Sequence, residues 1–338
     1  MRASFTTAGE RVGIDCDVAW VAELLEEAAA GQLASFDPAR PDTLTVRIEA
    51  NHDSFPVEDW PVLTRGARYR EGGGSAAIAD VCTSGFDLRL QLEGDHPVFT
   101  FRWRPPRTSR MANLALRSRF VLLARAALVQ YPALWAAGLR GRAPLHVSAC
   151  TVGPGSTTSV VLAGPGGVGK STLLAGELSA GGRATSDNLC VSDGCEVWGL
   201  VEPLRLELGS DHRGPAGRRM PHGRNETNFD GRVPSLVPNH VLVLRRGQGE
   251  RPEVAPATSE TAARSLVAGT YVAGELRRYW GMAATLAAGT GAGPVHPPIG
   301  DVAQVMARRT TCTEVALGRR TGARLADLLE LTEAVSCT

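Results

Sequence analysis

The chain is nearly without lysine: among 36 basic residues, Lys170 is the only one that is not arginine. The single position that keeps a compact ammonium is therefore marked out, because a planar guanidinium does not replace a point charge. Neither sign of charge is in excess. A formal net charge of +1 argues against a general nucleic-acid binder or a membrane-surface protein. The seven cysteines (16, 82, 150, 190, 195, 312 and 337) contain no CxxC pair, and their odd number argues against a disulfide framework. Cys190 and Cys195 with His212 lack zinc-ligand spacing. Uninterrupted apolar runs are missing too. The most apolar stretch, Phe120 to Leu139, is broken by Arg125, Gln130 and Pro132, so no membrane span is expected. Met1 to Gly13 is polar and mixed, unlike a secretory signal. These absences predict a cytoplasmic globular protein with reduced thiols and no nucleic-acid or membrane partner. Its 338 residues are enough for two domains.

What the chain does have is a glycine-rich phosphate-loop pattern around that lysine. Gly164, Pro165, Gly166, Gly167, Val168, Gly169, Lys170, Ser171 and Thr172 fit G-x-x-x-x-G-K-[ST]. The flanks are right for it. Ser159 to Ala163 is a short β-branched apolar run, as in a buried strand. Lys170 to Ala180 places Leu173, Leu174 and Leu178 at helical spacing before Gly181–Gly182. Glycines let the backbone curl so that successive N–H groups face a phosphate, and the helix N-terminus adds its positive dipole end. In such a loop Lys170 reaches the β- and γ-phosphates and the Ser171 hydroxyl takes a place on Mg²⁺, so ATP and Mg²⁺ are the expected ligands.

Along the chain, residues 1–107 read as an α+β recognition module. A helix is expected from Val18 to about Gln32 behind Asp17. Strands are expected at Leu44–Ala50 and Phe86–Leu92, the latter turning into Val98–Trp103. After Pro105–Pro106, residues 108–142 are expected to be a connecting helix, running to about Val129, and a Gly/Arg/Pro linker. Residues 143–338 are expected to be the nucleotide domain. Leu145–Val152 and Ser159–Ala163, joined through Gly153–Ser156, predict an antiparallel hairpin that feeds the loop. Further strands are expected at Arg183–Ser186, Val191–Gly199, Leu200–Leu208, Val241–Leu244 and Thr311–Leu317. Helices are expected from Ser259 to about Leu286 and from Ala323 to Val335.

An acid for the Mg²⁺ is usual in phosphate-loop proteins, and its usual place is empty. Val241–Leu244 is the best apolar strand downstream, but Arg245 and Arg246 follow it in place of an aspartate. The acid that does stand after a short strand is Asp187. It could take the proton of an attacking hydroxyl, or simply close a turn. His212 to Arg224 holds Arg213, Arg218, Arg219 and Arg224 with no acid among them. This is either a solvated basic loop or a mobile clamp for phosphate or an acidic substrate.

The order Leu145–His146, hairpin, glycine loop, helix, then Gly182–Arg–Ala–Thr–Ser–Asp187–Asn188 resembles the catalytic core of HPr kinase/phosphorylase. The resemblance covers roughly residues 143 to 205. It implies an α/β P-loop kinase core of the HPr kinase/PEP carboxykinase-like type, with an N-terminal α+β domain. It also implies that His146 lies near the γ-phosphate and that Asp187 activates a serine hydroxyl. Glu196–Leu200 is similar to part of the family's downstream signature, with Glu196 as a metal-side acid. Asn188 stands where the family has a second Asp, and Trp198 where it has Arg. The N-terminal module has no counterpart in the HPr enzyme. The chain looks more like the HPr-kinase-like proteins of peptide natural-product pathways, some of which phosphorylate a serine of a precursor peptide. The expected acceptor is a hydroxyl of a peptide, a protein or a small molecule. The rival reading is an ATP sensor that transfers nothing, and homo-oligomerisation is left open.

Overall fold

A computed structural model describes residues 1–207, 218–220, 224–293, 295–318 and 322–336. The chain divides into two compact units, Met1–Gly141 with Glu275–His296, and Arg142–Gly274 with Pro297–Thr338.

The first unit is built on a nine-stranded sheet. Its order is Ala34–Ser35, Arg2–Thr7, Glu10–Cys16, Leu44–Glu49, His96–Trp103, Phe86–Glu93, Ser75–Ile78, Ala67–Tyr69 and Val62–Thr64. Strand alternation puts Val46, Ile48, Phe99, Phe101, Leu88 and Leu90 on one buried face. Two departures from the expected organisation follow from what packs there. Residues 108–142 are not a connector. The helical run carries on past Val129 through a π turn at Ala126–Gln130 into Tyr131–Leu139, and the buried Trp135 meets Phe99 edge-on at 5.8 Å. By length and composition Arg117–Leu139 could cross a membrane (mean hydropathy 1.4), but 83% of that apolar window is buried inside the fold. The helix expected to run unbroken from Ser259 stops at Val272. A second helix, Arg277–Thr290, returns to the first unit, where Gly289 lies against Ala76 and Tyr69.

The second unit holds the glycine loop. Its central sheet uses β1 (Ser148–Thr151), β2 (Ser159–Ala163), β3 (Ala184–Ser186), β7 (His240–Arg246), β8 (Glu253–Pro256) and β9 (Thr311–Leu317), in the order β3-β1-β2-β7-β9-β8. β1 and β2 pair antiparallel, Ser148 opposite Leu162 and Thr151 opposite Ser159; β2, β7 and β9 run parallel. Leu145 to Val152 is not one strand. Ala143–Leu145 belongs to a separate four-stranded sheet with β4 (Cys190–Ser192), β5 (Val197–Gly199) and Ser235–Leu236, and the chain changes sheet at His146–Val147. A third sheet joins β6 (Leu204–Glu207) to Arg224–Thr227 and Arg218–Met220. Helix α1 (Lys170–Ser179) and the helix Leu325–Ser336 cover one face of the central sheet. There Leu173, Leu174, Leu325 and Leu328 close over Val160, Leu162, Leu242 and Leu244.

Candidate phosphate site

The loop between β2 and α1 has the backbone that its glycines permit. Gly164 (φ +147°), Gly167 (+74°) and Gly169 (+115°) lie in the region that side chains rarely enter. Crowding adds to the need for glycine. A Cβ on Gly164 would stand 2.7 Å from the Leu244 carbonyl oxygen, and one on Gly169 would stand 3.0 Å from Leu317 Cδ1. Val168 points inward and is 5% exposed, which pins the loop to the core beside Leu173. Pro165, Gly166 and Gly167 are exposed, and nothing lies within 4 Å of where a Gly166 Cβ would be. Lys170 is buried at the base of the loop, where its Nζ donates to Gly164 O (2.8 Å) and Pro165 O (3.2 Å). The first intrahelical bond runs from Leu173 N to Gly169 O, so the N–H groups of Lys170, Ser171 and Thr172 precede it at the positive end of α1.

Asp187 closes on this loop from β3. It is 2% exposed, and its Oδ2 accepts from Arg205 N at 3.2 Å. Burial pushes its carboxyl upward. The Arg205 amide, the Ser171 hydroxyl, and the Arg205 and Lys170 charges act in the opposite direction. Oδ1 makes no hydrogen bond of normal length. Ser148 Oγ donates to the Asp187 backbone carbonyl, so the hairpin before the loop fixes the turn after β3. Asn188 is one residue further along that turn, and its Oδ1 lies 2.8 Å from His146 Nε2; the His146 backbone N–H donates to Thr270 Oγ1 at 3.1 Å. The structure thus brings together the glycine loop, Lys170, Ser171 and Asp187, with His146 beside Asn188.

Glu196 is elsewhere. It lies in the β4–β5 turn, where its backbone N–H donates to Asp193 Oδ1 at 2.9 Å. That tip is at the far end of the hairpin from Leu189, roughly four extended residues or about 13 Å away. The hairpin therefore carries Glu196 to the end opposite Leu189 and the Asp187 turn. The second buried acid near Asp187 is Glu202, which is fully buried. Its Oε1 accepts from Ser186 Oγ (3.0 Å), Asn188 N (3.1 Å) and Leu189 N (2.9 Å). Burial raises Glu202; the Arg205 charge opposes this and the Asp187 charge adds to it. Arg205 Nη2 is 3.7 Å from Glu202 Oε2, and Arg232 ties the segment down through Thr185 O and Glu202 O. One signal in the sequence marks Glu202: it is a lone acid inside the apolar run Trp198–Gly–Leu–Val–Glu–Pro203. Arg246, also not anticipated as a site residue, places its Nη2 on Gly167 O at 3.0 Å.

Of the four arginines expected to form a clamp, Arg213 lies outside the described residues. The backbone of Arg218, Arg219 and Arg224 is strand and not loop. Two cavities lie away from the glycine loop. One of about 290 Å³ is lined by Phe55, Arg68, Ile78, Asp87 and Arg104, and one of about 680 Å³ by Ala263, Val267, Gln304 and Arg308. Backbone N–H groups on an open turn make a phosphate cradle without making a cavity.

The residues present fit a bound nucleotide phosphate: an open arc of backbone donors, a helix N-terminus and a buried ammonium. They also fit Mg²⁺ in the manner usual for that ion. Among the described residues no three His, Cys, Asp or Glu side chains are grouped to hold a metal. Mg²⁺ commonly rests on one or two protein oxygens plus substrate phosphates; Ser171 and Asp187 would be the oxygens available to it here. No protein-family model matches the chain, and no curated protein matches it at a significant level.

Proposed function

We propose that the protein is an ATP-dependent kinase with a core of the HPr-kinase type, transferring the γ-phosphate to a hydroxyl, foremost a serine of a peptide or protein. The observation that carries this reading is the convergence of Asp187 with Ser171 and Lys170 at the N-terminus of α1. Backbone N–H groups of Gly166 to Lys170 hold the β-phosphate, and Lys170 neutralises charge as it develops on the terminal phosphoryl. Mg²⁺, held by Ser171 with Asp187, would supply further positive charge to the phosphate oxygens. Asp187 Oδ1 takes the proton of the acceptor hydroxyl. Its raised affinity for protons, caused by burial, makes it the stronger base once it is ionised. His146, through Asn188, holds the turn that carries Asp187.

Incubation with γ-labelled ATP, Mg²⁺ and either fractionated lysate from the source or serine-containing peptides tests the reading. Label is expected in an alkali-labile product with wild-type protein and not with Lys170→Ala. ADP release without a labelled acceptor would point to an ATPase or sensor, and labelled small molecules alone would replace the peptide acceptor.

A further inference from the structure

β2 and β7 are parallel neighbours in register, Val160 beside His240 and Ala163 beside Val243. β2 ends there and turns into the glycine loop, whereas β7 continues for three more residues. Ligands of parallel α/β sheets collect at the carboxyl ends of strands, and β7 ends in two arginines. Strand alternation sends these two side chains to opposite faces. Arg245 leaves with Val241 and Val243 and donates through Nε to Glu314 Oε1 at 2.5 Å, which neutralises it. Arg246 leaves with Leu242 and Leu244, the face covered by α1, and arrives at the loop. Its Nη2 donates to Gly167 O at 3.0 Å and would stand 3.6 Å from a Cβ on Gly167. A guanidinium at the carboxyl end of the strand beside the loop occupies the place where many phosphate-loop proteins carry a metal-binding aspartate.

We infer that Arg246 is a ligand for the terminal phosphate of the nucleotide and is the group by which this site separates nucleoside triphosphate from diphosphate. The inference rests on the kinase reading of the loop and assigns it a second cation. The contact with Gly167 O fixes the guanidinium at the open rim of the loop, next to the exposed Gly166. Lys170 sits at the buried base of the same loop. The two cations thus hold the loop at different points, Lys170 at Gly164 and Pro165 and Arg246 at Gly167. Arg246 has N–H donors beyond the one on Gly167, so it can bond a phosphate oxygen while keeping the loop contact.

The test measures the affinity of wild-type, Arg246→Gln, Arg246→Lys and Lys170→Ala proteins for fluorescent ATP and ADP analogues in excess Mg²⁺. Arg246→Gln is expected to weaken the triphosphate by about tenfold, the lower end for a lost charge-assisted hydrogen bond, with the diphosphate within about twofold of wild type. Arg246→Lys is expected to recover part of the loss, since it restores charge without the fork. The retained diphosphate affinity also reports that the loop is folded. Equal weakening of both nucleotides would mean that Arg246 only braces the loop, and no change in either would mean it makes no phosphate contact. Both results overturn the inference and leave the loop reading intact. If wild-type protein binds neither analogue, and Lys170→Ala is indistinguishable from it, both readings fall.

Discussion

Replacing Glu202 with alanine removes one buried oxygen that three donors share: Ser186 Oγ, Asn188 N and Leu189 N at 2.9 to 3.1 Å. It also takes away one of two acid partners of Arg205, at 3.7 Å, and leaves Glu226 at 3.4 Å. A buried donor left without a partner costs about 1–3 kcal/mol, and three such donors lose their acceptor together, while Arg205 keeps Glu226 and adds little. These losses share one oxygen and do not add in full, so about 3–5 kcal/mol is expected for Glu202→Ala. That is a large fraction of a typical folding stability of about 5–15 kcal/mol. Glu202→Gln keeps an acceptor oxygen in place for the two backbone N–H groups and should lose only about 1 kcal/mol. Urea unfolding followed by far-UV circular dichroism measures both, provided the slope with denaturant is unchanged. A Glu202→Ala loss below about 1 kcal/mol, or a glutamine variant as unstable as the alanine one, would refute the idea that this carboxylate holds the Asp187 turn.

Other consequences follow from the same neighbourhood. A Cβ on Gly199 would stand 2.2 Å from the Thr185 carbonyl oxygen, so Gly199→Ala should lower the thermal midpoint by several degrees, a loss of about 1–3 kcal/mol; an unchanged midpoint would contradict the packing between β3 and β5. Gly164→Ala adds a side chain at φ +147° against Leu244 O and should abolish binding of fluorescent ATP while the protein stays folded; retained binding would show that the loop conformation is not needed. Burial raises both Asp187 and Glu202. A carboxyl whose folded pKa lies above its unfolded value favours the fold fully below that unfolded value, near 4, and loses this contribution as pH rises through the folded value. The stability of wild type relative to the neutral double variant Asp187→Asn/Glu202→Gln should therefore fall as pH rises from about 4. A rise in that difference over the same window would mean the two acids are stabilised as anions.

The local part of the site was legible in the sequence because neighbours in the chain determine it. The hairpin, the glycine loop and the first two turns of α1 need only near residues; β2 and α1 lie where the apolar run and the leucine spacing put them, whereas the strand expected from Leu145 begins only at Ser148. What depends on distant contacts was not legible. Asp17 suits a helix cap, yet its backbone N–H bonds Ile48 O in the sheet, and the helix begins at Ala19 behind Val18 with no side-chain cap. The return of Arg277–Thr290 to the first unit is decided by packing against strands some 200 positions earlier in the chain, as Gly289 against Ala76 shows. Glu196 stands out only through a resemblance in a short motif; a hairpin of three-residue strands holds it at the turn, and Glu202 is the acid that bonds the Asp187 turn. In the sequence Arg246 stands only as a basic residue where an aspartate would be usual. Its use becomes visible when β2 and β7 are seen side by side.

Rapid-mixing measurement of γ-phosphate transfer by Asp187→Asn, at saturating Mg²⁺ and ATP and with the acceptor identified for wild type, tests the central claim most directly. Asparagine keeps the volume of a residue that is 2% exposed and an acceptor oxygen for Arg205 N, and it removes the negative charge and with it the capacity to accept a proton. Transfer should slow by at least about 10²-fold, or about 2.7 kcal/mol in barrier, with ATP affinity within a few-fold of wild type and no loss of thermal midpoint. Transfer at the wild-type rate would contradict the account, because a base that can be dispensed with is not the group that activates the hydroxyl.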